Sequence, residues 1–254
     1  MSVLIVTYNN AKDIRECLSS LLDQDYPCVE IIVIDNASTD GTPNIVAKEY
    51  DGVKVIRNNV NLGYTGGNIL GVKHATGDYI VVLNPDLRLS RHFLSQLVRS
   101  ATKHPEAKIF AANVLLYDDQ NRVNAFGNEV HYTGLVFARF FGCSREECKE
   151  ECILAPSGAA FMVERRVLED VSFFDPDYFM EYADIDLSLR LLARGWSCVT
   201  VPEAQVYHKY SLKMSSRRLY ELERNRYTFL LKNFSNRMLA CSLPGIMLTE
   251  IIVW

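Results

Sequence analysis

The chain has no run of the about 18–20 apolar residues needed to cross a bilayer, which predicts no membrane span. Neither charge sign dominates. The 27 basic and 31 acidic residues leave a net charge of −4, which argues against broad nucleic-acid binding. No secretory leader is evident, because Met1 to Val6 already reads as a strand, without a charged segment or cleavage site before it. Paired cysteine motifs are missing too. The seven cysteines are an odd number, which suggests a reducing, cytoplasmic compartment and mostly free thiols. Cys143, Cys148 and Cys152 have C-x4-C-x3-C spacing with no C-x2-C pair or partner histidine, so they read as loop thiols rather than metal ligands. No internal repeat, low-complexity tract or flexible linker divides the 254 residues.

The first half of the chain alternates strand and helix signals. Val3 to Val6, Ile31 to Ile34, Val53 to Ile56 and Tyr79 to Leu83 are short apolar runs of the kind that form strands buried on both faces. Asn10 is placed to cap a helix carrying Ile14, Leu18, Leu21 and Leu22 at helical spacing. Thr42 and Pro43 read as N-cap and first helical residue of a helix through Tyr50. Further helices are expected over Gly66 to Ala75 and from Ser90 to about His104. Strands separated by helices imply a mainly parallel sheet, and such sheets bind ligands beyond the carboxyl ends of their strands. After about residue 107 the pattern changes. A longer strand is expected over Ala107 to Tyr117, loops over Asn121 to Gly127 and Gly142 to Cys152, and a hairpin over Val130 to Phe141. A strand at Ala159 to Val163, a helix at Asp184 to Arg194 and strands at Trp196 to Val201 and Ala204 to Tyr207 follow. The expected division is an α/β domain over 1–212 and a basic, then apolar, C-terminal helical extension over 213–254. Met238 to Trp254, broken by Pro244 and Gly245, suits either the surface of an anionic membrane or packing on the domain itself or on a second subunit.

Several polar residues fall at strand ends. Asp35 closes one strand, either to accept hydrogen bonds from a base or ribose or to form an Asx turn. Asn61-Leu62-Gly63-Tyr64-Thr65-Gly66-Gly67-Asn68 reads as a glycine-rich loop ahead of a helix, where backbone N–H groups can approach a phosphate. It lacks the Gly-Lys-Ser/Thr of a P-loop. Asp86 follows the fourth strand as an oxygen ligand suited to Mg²⁺ or Mn²⁺, and His208 would join it if both strand ends met at one ion. Asp184 stands at a helix start, where the helix dipole would keep it ionised, as a general base or a simple N-cap. Asp186 and Arg190, four apart, read as an exposed helical ion pair. Arg217 and Arg218 suit a mobile loop over an anionic ligand or a solvated basic face.

Taken in order, these segments resemble inverting glycosyltransferase family 2, which has the GT-A fold. The resemblance runs through Val6-Thr7-Tyr8-Asn9, Asp35 to Thr42, Asn61 to Asn68, Leu83-Asn84-Pro85-Asp86 and Ser157-Gly158-Ala159-Ala160. It continues with Asp184-Ile185-Asp186-Leu187, Gly195-Trp196, Pro202-Glu203-Ala204 and His208, so it covers about residues 2–210. The subgroup it looks most like includes rhamnosyltransferases and other enzymes that build cell-surface polysaccharides.

The resemblance implies a nucleotide-diphosphate-sugar donor (UDP-, dTDP- or GDP-linked), a growing glycan as acceptor, and a divalent cation, Mg²⁺ or Mn²⁺; the basic and apolar tail alone suggests a lipid-linked glycan acceptor. Thr7, Tyr8 and Asn9 would line the nucleotide pocket, and Asp35 would contact the base or ribose. Asn61, Gly66, Gly67 and Asn68 would lie along the donor. Asn84 and Asp86 match the two ends of the family's D-x-D, with Asn84 replacing its first aspartate, and His208 would be a further metal or diphosphate ligand. Asp184 matches the catalytic base. The family usually has Glu-Asp there, whereas this chain has Ala183-Asp184, with Glu181 as a nearby substitute acid. The implied site is cytoplasmic, at the membrane face if the tail docks. The rival expectations are an inactive nucleotide-sugar-binding module, a membrane-docked scaffold and a sugar nucleotidyltransferase. The last is disfavoured because Thr7-Tyr8-Asn9-Asn10 replaces its Gly-rich, Arg-bearing loop.

Overall fold

Val3, Leu4 and Ile5 are completely buried, and alternate residues of their strand feed two different cores. Val3 and Ile5 join one core with Ile14, Leu18, Val33 and Leu97. Leu4 joins the other with Ile32, Ile34, Phe161, Ile185 and Phe229. A strand this apolar must sit in the middle of a sheet covered on both faces, and the rest of the architecture follows from that.

The computed structural model describes residues 1–210 and 215–253, without the side chains of 251–253. The first half runs β1 (Ser2–Thr7), α1 (Ile14–Leu22), β2 (Glu30–Asp35), α2 (Thr42–Glu49), β3 (Lys54–Arg57), α3 (Gly63–Lys73) and β4 (Tyr79–Leu83). Then come β5 (Leu87–Leu89), α4 (Phe93–Lys103), β6 (Ala107–Leu116), β7 (Val123–Ala125), β8 (Asn128–Val130) and β9 (Val136–Ala138). The remainder is β10 (Cys152–Ile153), β11 (Ala160–Glu164), α5 (Leu168–Val171), α6 (Ala183–Leu192), β12 (Ser197–His208), α7 (Ser216–Asn233) and α8 (Asn236–Val253). The main sheet has the order β10-β12-β6-β11-β4-β1-β2-β3, with β5 and β7 attached at its side and β8-β9 as a separate hairpin. β1 is parallel to β2 and β4, so Thr7, Asp35 and the residues after Leu83 reach the same sheet edge. β11 is inserted antiparallel between β4 and β6, and β12 is parallel to β6.

Local details depart from the sequence reading for identifiable reasons. Asn10 does not cap α1. Its side-chain Oδ1 accepts from Tyr8 N at 2.8 Å, and the residue before the helix is Asp13. Thr42 is the first residue of α2 and not its cap. Gly41 precedes it at φ +87°, and Asp40 Oδ1 accepts from the Thr42 N–H and hydroxyl. α3 begins three residues earlier than expected, at Gly63, so most of the glycine-rich segment is helix. Its glycines serve packing as well. A Cβ on Gly67 would stand 2.7 and 2.9 Å from the two methyl carbons of Val6, so only a bare backbone lets α3 close on β1. The two expected strands near the end form one, β12, with a register shift between Val201 and Gln205 around Pro202, which has no N–H for the ladder. The expected loop at Asn121 to Gly127 contains β7, and the Gly142 to Cys152 loop ends in β10. All seven cysteines are free, and Cys148 is buried.

α8 continues as a helix through Pro244 and Gly245. Its Ser242 and Ile246 are buried, while Leu243, Met247 and Leu248 are exposed. No helix among the described residues is long and apolar enough to cross a membrane. The expected boundary at 212/213, like Trp254, lies outside the described residues.

Gly67→Ala should destabilise the fold by about 1–3 kcal/mol, because the stiff Val6 side chain cannot move aside. A lower urea midpoint at unchanged slope checks this, and an unchanged midpoint would contradict the close α3–β1 packing.

Candidate active site

The loops after β1 and β2 are stitched to each other. Asn9, at φ +59°, accepts from Thr39 N through Oδ1 at 2.8 Å, and its own N–H donates to Ser38 Oγ at 2.9 Å. Asn10 N donates to Thr42 Oγ1 and Ala11 N to Asp40 Oδ2. Beneath them, Thr7 donates its hydroxyl to Asp35 Oδ1 at 3.2 Å, and Ser38 N donates to Asp35 Oδ2 at 3.1 Å. Thr7 and Asp35 are buried, whereas Tyr8 is half exposed above them. The Asx-type bond from Ser38 N to Asp35 is therefore present, and Asp35 fixes the loop as well as standing at the strand end.

Asn36, buried next to Asp35, ties this edge to α3. Its Nδ2 donates to Gly63 O at 2.8 Å, and its Oδ1 accepts from Asn58 Nδ2 at 2.8 Å. Asn61 Oδ1 accepts from Gly63 N at 2.8 Å and so starts the helix. Gly66 and Gly67 lie in its second turn, and buried Asn68 donates back to Tyr64 O. The Asn68 Oδ1 and Thr65 Oγ1 atoms are buried without a hydrogen-bond partner.

Asp86 and His208 come together as the sequence anticipated. β5 and β12 pair antiparallel with Leu87 opposite His208, which sets the His208 Nε2 3.4 Å from Asp86 Oδ1. The other ring nitrogen, Nδ1, donates to Asn124 Oδ1 at 2.8 Å, which fixes the plane of the ring. Asp86 Oδ1 is buried and has no hydrogen-bond partner. The His208 Nε2 and the buried Asp86 Oδ1 thus face each other at the end of the β5–β12 ladder. A hard divalent cation fits this oxygen–nitrogen pair, with its other coordination positions left to substrate oxygens and water. Among the described residues no cluster of three or more such ligands exists. Asn84 sits two residues earlier, and its N–H donates to Ala159 O at 2.9 Å.

That last bond leads to Asp184. Gly158, the neighbour of Ala159, packs so closely that a Cβ on it would lie 3.1 Å from Asp184 Oδ2. The Gly158 carbonyl accepts from Tyr64 OH at 2.7 Å, so α3 also meets the site here. Asn128 Nδ2 donates to Asp184 Oδ2 at 3.3 Å. Asp184 is buried at the start of α6, and burial, reinforced by the nearby negative charge of Glu181, pushes its carboxyl up to about 7. The expectation that the helix start would keep Asp184 ionised is therefore corrected. Desolvation outweighs the helix N-terminus, and the carboxyl is poised near neutrality.

The chain before α6 is held in an unusual shape. Glu181 and Tyr182 both have positive φ, +59° and +65°, a conformation costly for residues with a Cβ. α7 holds it there. Arg218 donates to Glu181 Oε1 from Nε at 3.1 Å, and Asn225 Nδ2 donates to the carbonyls of Met180 and Glu181. Arg224 donates to Asp177 O at 3.0 Å, and Lys232 pairs with Asp175 and Asp177, each at 2.6 Å. Arg217 stacks its guanidinium over Phe179. Arg217 and Arg218 therefore lie on a helix, engaged with the loop before α6, and do not form a mobile loop. Asp186 and Arg190 are also not an exposed pair. Asp186 is buried, and Arg190 additionally donates to the carbonyls of Val171, Ser172 and Phe173. Asn128, Tyr64 and Asn124 were not singled out in the sequence. Each acts on a residue more than 50 positions away, and no local pattern marks it.

Residues 2–172 match the family described as Glycosyl transferase family 2. A curated relative, the N-acetylglucosaminyl-diphospho-decaprenol L-rhamnosyltransferase of Mycobacterium tuberculosis, is 27% identical over 233 residues, covering 82% of this chain and 75% of that protein. The poly-beta-1,6-N-acetyl-D-glucosamine synthase of Staphylococcus epidermidis is 27% identical over 195 residues, covering 75% of this chain and 45% of its own length. Among solved structures, the mannosyltransferase PcManGT from Pyrobaculum calidifontis, in complex with GDP-Man and Mn²⁺, superposes with a TM-score of 0.69 at 19% identity. That match covers 94% of this chain and 66% of PcManGT. GalNAc-T7, crystallised with UDP, GalNAc and Mn²⁺, superposes at 0.72 and 19% identity, covering 88% of this chain and 46% of its own. The chain belongs to glycosyl transferase family 2, and its fold is that of the GT-A glycosyltransferases.

Proposed function

We propose that this protein moves a sugar, with inversion, from a nucleotide-diphosphate donor to a hydroxyl of a lipid-linked glycan or a growing glycan. The observation that carries this reading is the buried Asp184 carboxyl. It is set against Gly158 beside the β4–β11 junction whose far side leads to Asp86 and His208. Asp184 accepts the proton from the acceptor hydroxyl as that oxygen attacks the anomeric carbon. The bond from that carbon to the diphosphate oxygen breaks on the opposite face. One displacement inverts the carbon, and no protein nucleophile is required. A carboxyl poised near 7 suits a base working at neutral pH. Asn128, donating to Asp184 Oδ2, holds the carboxylate in one orientation.

Thr7, Tyr8, Asn9 and Asp35 are proposed to meet the nucleoside, and Asn61, Gly66, Gly67, Asn68 and Asn84 to flank the donor. Asp86 and His208 would hold a Mg²⁺ or Mn²⁺ ion. When bound, such an ion neutralises charge on the departing diphosphate. The UDP, GDP-Man and Mn²⁺ named with the two structural neighbours support a nucleotide-sugar donor and a divalent cation. The mycobacterial relative's name supports a lipid-diphosphate-linked acceptor. The extension over 213–254 is proposed to rest on a membrane surface through the exposed apolar side of α8. An inactive sugar-nucleotide-binding module is the second reading, favoured by the buried, uncharged Ala183 beside the base.

UDP, dTDP, GDP and CMP should be compared by thermal shift with and without Mn²⁺. One diphosphate should stabilise by about 2.7 kcal/mol at 100 times its dissociation constant, and Asp86→Ala should remove the Mn²⁺-dependent part. No shift with any nucleotide would sink the transferase reading.

Asp184→Asn should keep the nucleotide shift and lower transfer by about 10²–10⁴-fold. Equal turnover in the variant would remove Asp184 from its role, and a wild type inert towards every donor and acceptor would favour the binding module.

Transfer should lose activity on the acid side with an apparent value near 7. Glu181→Gln, which removes the like charge, should move this limb to lower pH, and Arg218→Gln, which unscreens Glu181, should move it higher. Asp184 binds its proton more tightly folded than unfolded, so its contribution to stability falls as pH rises from about 4 to 7. Asp184→Asn should therefore raise Tm more at pH 8 than at pH 5, and an equal effect at both would contradict the burial cost.

A further inference from the structure

A cavity of about 480 Å³ opens under the β8–β9 hairpin, and its lining includes Val130, Leu154, Leu189, Phe229, Phe234 and Cys241. Its size falls in the range of small-molecule sites, and its lining is mostly hydrocarbon and aromatic. Three elements run from Asp184 to this cavity. On β8, Asn128 bonds Asp184, and Val130, two residues on, lines the cavity about 7 Å away by strand rise. On the facing segment, Pro156 O accepts from the same Asn128 amide, and Leu154, two residues back, is another wall. α6, which carries Asp184 at its start, also contributes Leu189 to the wall. The cavity thus lies one short step from the base.

A second observation says what would enter it. The cavity's outer wall is α8, which contributes Met238, Cys241 and Ser242. The same helix leaves Met238, Leu243, Met247 and Leu248 between 48% and 60% exposed. Large, half-exposed apolar side chains on the helix that walls an apolar cavity suit a lipid surface better than water.

We propose that this cavity receives the hydrocarbon chain of a lipid-linked acceptor, which enters from a bilayer under α8 while the acceptor's sugar hydroxyl reaches Asp184. The proposal rests on the lipid-linked acceptor reading above. It makes the α7–α8 extension part of acceptor recognition. A chain drawn from the membrane would fill the cavity, and the saccharide would span the short distance to the base.

Cys241, exposed and part of the lining, reports occupancy directly. Its alkylation by N-ethylmaleimide is followed by peptide mass spectrometry on the full chain, with exposed Cys28, ahead of β2, as internal control. Farnesyl diphosphate at ten times its dissociation constant should slow alkylation of Cys241 about tenfold and leave Cys28 unchanged. Inorganic diphosphate and the five-carbon isopentenyl diphosphate should protect neither thiol. Met238→Trp, at a half-exposed position on the wall, should narrow the mouth and abolish protection, with an unchanged Tm showing that the variant is folded. Leu189→Trp fills the cavity from the α6 side as a second variant. Failure of farnesyl diphosphate to protect, or equal protection by inorganic diphosphate, would overturn the proposal. The nucleotide thermal shift in the same sample keeps the two readings apart. Its presence without Cys241 protection discards the cavity proposal alone, and its absence discards the transferase reading on which the proposal rests.

Discussion

Asp184 holds a carboxyl out of water beside another acid, and both halves of the protein are arranged around that unfavourable placement. Burial and the charge of Glu181 raise its proton affinity to about 7. Such a group persists only where its surroundings are fixed, because a relaxed loop would let water in and restore the ordinary carboxylate value. The fixing comes from opposite directions. From the sheet side, Gly158 packs against the carboxylate and is itself held by Tyr64 of α3. From the other, α7 fastens the loop at Asp175, Asp177, Met180 and Glu181 through four of its side chains.

This arrangement explains two costs that local propensity does not. The left-handed backbone at Glu181 and Tyr182 is a strained approach to α6, and it persists because Asn225 and Arg218 bind its carbonyls and carboxylate. Arg226 is the largest fully buried side chain, an expensive placement for a guanidinium. It donates to Thr133 O under the hairpin and pairs with Glu223 and Glu250, joining hairpin, α7 and α8. The hairpin in turn carries Asn128 to Asp184. The loop before α6, the hairpin and the C-terminal helices are therefore one mechanical unit around the apolar cavity.

The opposite side of the site follows a different logic. Asp86 and His208 lie on rigid strand ends, and their pairing follows from the register of β5 against β12. Asn124 orients the histidine ring from β7. This pair needs no strained loop, because the ladder already puts the two side chains 3.4 Å apart.

Much of this was legible in the residues. Buried apolar runs separated by helices imply the parallel direction of β1 to β4, which puts Thr7, Asp35 and Asp86 at one sheet edge, whereas the spatial order β4-β1-β2-β3 is visible only in the fold. Motif order along the chain pointed to the family, and the strand ends to a meeting of Asp86 with His208. What escaped was decided by contacts between distant segments. Asn128 bonds Asp184 across 56 residues, and Tyr64 bonds its neighbour Gly158 across 94. The protonation of Asp184 was misjudged because a helix start is visible in sequence and the depth of burial is not. Arg217 and Arg218 looked like free basic residues because their partners, Phe179 and Glu181, lie some 37 residues earlier. Local chemistry and periodicity determined the strands, the helices and the residue types at the site. Only the tertiary structure decided which of those residues are dry, which are paired and which face each other, because desolvation and charge pairing depend on neighbours that the chain brings together only by folding.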